Sequence, residues 1–81
     1  MTLKQKLLHE YKVAYTEWYK LDCEARSNEL GFGESVANAH RRGELNGIMA
    51  AIERCLSMKD ARTLLPEIHY AVMKEVKGAA E

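Results

Sequence analysis

Three histidines, two cysteines and one pair of adjacent arginines are the residues from which this 81-residue chain would have to build chemistry. His9, His40 and His69 lie on three different segments, and no HExxH or paired Cys/His spacing links them. His9 and Glu10 are sequence neighbours, so on a helix they point about 100° apart and do not chelate one ion together. No metal and no cofactor is expected, and the three histidines read as lone helix-surface residues without a role. Cys23 and Cys55 lack CxxC spacing, and each falls near the end of a helical pattern, where the helix dipole disfavours a thiolate. We expect two reduced, mostly buried thiols that serve packing. The run "HRR" from His40 to Arg42 is the basic cluster, yet Glu44 follows it, and Glu34 and Ser35 open its segment and would meet phosphates badly. "GFG" at 31–33 lacks the strand and the spacing of a phosphate-binding loop. No set of acid, base and nucleophile can be assembled, so the chain is not expected to be an enzyme.

The elements that carry these residues read as helices. Hydrophobic residues make up 47% of the chain and charged residues 30%, with a single proline, which is the composition of a folded helical protein rather than a disordered one. Twelve basic and twelve acidic side chains cancel, so the charge balance favours neither nucleic acid nor an anionic membrane. The opening "MTLKQKLLHEYK" has no apolar leader, and no stretch has the length of a membrane span. We therefore expect a cytoplasmic chain with one domain over residues 1–81.

A first helix is predicted over about 2–28, capped by Thr2. Leu3, Leu7, Tyr11, Ala14, Trp18, Leu21 and Ala25 step by three and four, and Leu8 and Tyr15 widen the stripe. A second is predicted over about 34–57 with two apolar faces. Phe32, Val36, Ala39, Gly43, Gly47 and Ala50 fall on one side, and Leu45, Ile48, Ile52, Cys55 and Leu56 fall roughly opposite. A helix apolar on two sides needs covering from two directions, which would place it at the centre of the fold. Pro66 interrupts the third segment, so the expectation is a helical turn at about 58–64, a break, and a helix over about 66–77. Leu65, Ile68, Val72 and Val76 form its buried line. The fold class is an all-α, compact three-helix domain.

Ala39, Gly43 and Gly47 recur every four residues, with Ala50 continuing the line, and each glycine costs roughly 1 kcal/mol against alanine inside a helix. Such a line makes a shallow groove for helix packing. The aromatic ridge Tyr11, Tyr15, Trp18 and Tyr19 is expected to fill it within one molecule, with a helix from a second copy or another protein as the alternative. Three unequal helices leave apolar surface uncovered, and uncovered apolar surface marks interaction sites. We expect Tyr15, Trp18 and Tyr19 to anchor a partner, with Arg41, Arg42 and Glu44 setting partner choice at the rim.

The phrases "EYKVAYTEWYKLD" and "AHRRGELNGIMAAIE" give roughly the first fifty residues of the chain a resemblance to the small uncharacterised helical proteins of bacterial phages and prophages. The resemblance implies no particular functional residue. It implies a protein that binds a host protein and blocks or redirects it. The expected function is therefore non-catalytic protein binding, as an inhibitor or adaptor acting on a host protein. A self-associating, homo-oligomeric structural protein is the first alternative and a nucleic-acid-binding regulator the second; where the chain pairs with itself, a homodimer is expected.

Overall fold

Thr2 starts the first helix by a reciprocal cap. Its hydroxyl accepts from the Gln5 amide at 3.1 Å, while the Gln5 side chain accepts from the Thr2 amide at 2.9 Å. In the computed structural model, which describes residues 1–27 and 29–80, this cap opens α1 (Leu3–Arg26). The second helix, α2 (Phe32–Cys55), begins after Gly31 in extended backbone and has no side-chain cap. The third, α3 (Met58–Ala80), starts at Ser57, whose hydroxyl accepts from the Asp60 amide at 3.1 Å and whose carbonyl accepts from the Ala61 amide at 2.9 Å. Ser57 is thus the cap of α3. Asn28, the last residue expected in the first helix, lies outside the described residues.

Pro66 neither breaks nor starts a helix: α3 runs through it as one element. The missing amide deprives the Arg62 carbonyl of its partner, a loss of ~3 kcal/mol in a helix interior. Two features offset it. Pro66 is exposed, so water reaches the freed carbonyl, and the line of Ala61, Leu65, Ile68, Val72 and Val76 stays on one face across the proline. Leu65 and Val72 are buried and Ile68 and Val76 half-buried, as their spacing predicts.

The centre of the fold is α1, not α2. α1 packs along both neighbours, whereas α2 and α3 scarcely approach each other. Asn38 meets Leu21 and Arg41 meets Glu17, so α2 runs antiparallel to α1. Lys4 meets Asp60 and Lys12 meets Glu75, so α3 runs parallel to it. The physical reason is the width of the α1 stripe. Its Leu21 flank meets α2, while Tyr11 and Tyr15 meet α3 at His69. Tyr11, Ala14, Leu45, Met49, Ile52 and Leu65 form one buried cluster, with Leu7, Leu8, Tyr15 and Trp18 packed against it.

Candidate functional site

Of the two apolar faces of α2, the core takes the one centred on Leu45, and it does so with a polar anchor. Asn38, Leu45 and Ile52 are spaced by seven residues, and Met49 joins them. Asn38 is 5% exposed. Its amide donates to the Leu21 carbonyl at 2.8 Å, and its carbonyl accepts from Arg42 Nε at 2.7 Å. Both halves of the buried amide are therefore satisfied, so its burial is tolerated. Arg42 continues to Asp22 at 3.6 Å, and Asp22 to Arg26 at 3.0 Å. Asn38 carries a signal in the sequence, the seven-residue step to Leu45 and Ile52, but its polarity hid it.

Arg41 lies on the other flank of the same seam. Its guanidinium pairs with both carboxylate oxygens of Glu17, Nη2 to Oε1 at 3.2 Å, and its Nη1 reaches Glu44 at 3.2 Å. The hydrogen bond from Arg41 holds the Glu17 carboxyl below its ordinary pKa, and the same bond raises that of Arg41. Glu44 also takes His40 Nε2 at 3.0 Å. Arg41, Arg42 and Glu44 thus straddle the α1–α2 seam and are engaged within the chain.

The aromatic residues form a second constellation, between α1 and α3. Tyr11 Oη lies 2.6 Å from His69 Nε2. Tyr15 stacks on His69 with centroids 4.4 Å apart, on Trp18 at 5.8 Å, and approaches Tyr19 at 6.2 Å. Burial raises the Tyr11 hydroxyl above its ordinary pKa, helped by Glu53 and Tyr15. Burial raises Tyr15 too, with Tyr19 and Asp22 adding to it. Burial lowers His69, and Glu53 opposes that shift. Tyr15, Trp18 and Tyr19 are all half-buried. A cleft of about 240 Å³ opens here, bordered by Trp18, Asn46, Ala50, Glu53 and His69. Its imidazole is engaged by the Tyr11 hydroxyl and stacked on by Tyr15. His69, read from sequence as a surface residue, fastens α3 to α1.

The glycine line is not filled by this ridge. A methyl group added at Gly43 or at Gly47 would meet nothing within 4 Å, and Ala39, Gly43 and Gly47 are all exposed, with Ala50 half-buried. The line lies on the side of α2 opposite Leu45, facing solvent. Phe32 is 89% exposed and Val36 55% exposed, and both continue it toward the N-terminus of the helix. The cysteines also differ from expectation. Cys23 and Cys55 are both exposed, because each sits on the solvent side of its helix rather than under a neighbour.

Among the described residues, no group of three His, Cys, Asp or Glu side chains could hold a metal ion, and no helix is long and apolar enough to cross a membrane. Comparison with known proteins gives no matching family, no matching curated protein and no matching solved structure.

Proposed function

We propose that this chain is a non-catalytic protein-binding domain, and that it docks its partner on the outer face of α2. One observation carries the reading: Phe32, Val36, Ala39, Gly43 and Gly47 form a continuous apolar line in water, directly opposite the face that α2 gives to the core. Leaving a phenylalanine 89% exposed forgoes about 2 kcal/mol of burial. The two glycines add a helix penalty that no contact inside the molecule returns. A partner helix recovers both terms, because glycine lets it approach closely while Phe32 and Val36 supply apolar area. An inhibitor or adaptor of the kind implied by the phage-like phrasing would use this face in the same way.

The test is site-specific photocrosslinking in cells that make the protein, with a benzophenone side chain at Val36 and, separately, at Lys20 on the exposed side of α1. Protein adducts are expected from position 36 and not from position 20. Adducts from both positions alike, or from neither, would contradict the assignment.

A further inference from the structure

We propose that the occupant of the α2 outer face is a second copy of this chain, packed antiparallel on a two-fold axis at Gly43; this rests on the docking face assigned above. The argument begins with a knob and a hole. Phe32 is the most exposed large side chain at one end of the face. At the other end, an apolar notch of about 480 Å³ is lined by Ala50, Glu53, Arg54, Leu56, Met58 and Ala61. Gly43 stands eleven residues after Phe32 and eleven before Arg54. Eleven residues are just over three whole turns, so knob and notch share one side of the helix, each about 16 Å from Gly43. Knob and hole placed symmetrically about a point are what an isologous interface requires.

A two-fold axis at Gly43 sets Gly43 against Gly43, Ala39 against Gly47 and Val36 against Ala50, and brings Phe32 over the Arg54 end with its notch. Each large side chain then meets a small one or a cavity. A parallel pair would instead set Phe32 on Phe32 and Arg54 on Arg54, and would leave both notches empty.

The surface area agrees. The chain exposes 5869 Å², whereas a folded monomer of 9.2 kDa is expected to expose about 4,900 Å². The excess is roughly 900 Å², close to the ~800 Å² that each partner buries in a standard interface.

Light scattering across concentration, with helicity followed by circular dichroism, tests the proposal. The wild-type mass is expected to rise from 9.2 kDa toward twice that value, while Phe32→Asp and Val36→Asp remain at 9.2 kDa with unchanged helicity. In a background carrying Cys23→Ser and Cys55→Ser, Gly43→Cys is expected to form a disulfide dimer much faster than Val36→Cys, because only position 43 meets itself. A wild-type mass of 9.2 kDa at every concentration overturns the second-copy proposal. A doubled mass that survives both aspartate variants overturns it too, as does equally fast crosslinking at 36 and 43. Adducts to a different protein from position 36 would then keep the docking face while removing the second copy. Monomeric protein without adducts removes both.

Discussion

Tyr11 on α1 and His69 on α3 meet through a 2.6 Å hydrogen bond across 58 residues of sequence, and Tyr15 stacks on the same imidazole. Burial depresses the His69 pKa below imidazole's ordinary value of 6.5, so the fold prefers the neutral ring. The unfolded chain binds its proton more readily. Stability from this site is therefore fully present above about pH 6.5 and is lost as the pH falls toward the folded value. The groups facing the ring are Tyr11 and Tyr15 from α1 and Glu53 from α2, the last acting in the opposite direction. We expect the urea midpoint to fall between about pH 7 and pH 5, and His69→Gln to flatten that dependence. A wild-type profile flat over the same interval would contradict a desolvated His69.

Asn38 is the buried polar group on which α2 is registered. Asn38→Ala removes the donor to the Leu21 carbonyl and the acceptor for Arg42 Nε. The expected loss is about 1–3 kcal/mol in equilibrium unfolding. A variant as stable as wild type would mean that water replaces both bonds at no cost.

How much of this was readable beforehand differs between elements. The Thr2 cap, and the line Leu65, Ile68, Val72 and Val76, were legible because a cap and a single apolar stripe are local patterns, whereas the returning bond from Gln5 appears only in the structure. The three helices followed from the same periodicity. The choice between the faces of α2 was not legible, because both arcs are apolar and local spacing does not rank them. Asn38 meeting the Leu21 carbonyl decides it, and that contact exists only once α1 is in place. The central position of α1 was hidden for a related reason: its wide stripe pointed to excess surface, when it has two partners to cover. Cys23, Cys55 and His69 were misplaced because one helix turn carries positions on every side, and only the neighbours tell which are covered.

Pro66 offers a test of how α3 tolerates its own sequence. Pro66→Ala restores an amide to the Arg62 carbonyl at an exposed position on a helix that already runs straight through it in sequence. The variant should gain about 1–3 kcal/mol in urea unfolding. No gain would show that the helix avoids the usual cost of an internal proline.

Gly43 separates folding from docking. Gly43→Ala adds a methyl group that meets nothing within 4 Å inside the molecule. In dilute solution it should stabilise the chain by about 0.5–1 kcal/mol, through helix propensity alone. Gly43→Leu should leave the dilute fold intact but weaken association at least tenfold in sedimentation equilibrium. Unfolding of either variant in dilute solution would place a close contact at Gly43 after all.

The claim that the outer face of α2 is a docking surface can be read from one atom, because Phe32 is the single phenylalanine in the chain. Replacing it with 4-fluorophenylalanine gives one fluorine resonance, whose shift between H2O and D2O reports its contact with water. The account predicts a water-exposed resonance at high dilution. With rising concentration it should move to a buried position with no solvent isotope shift, in step with the doubling of mass. A resonance that stays at the exposed position over the whole range, and equally in cells that make the protein, would contradict the docking face.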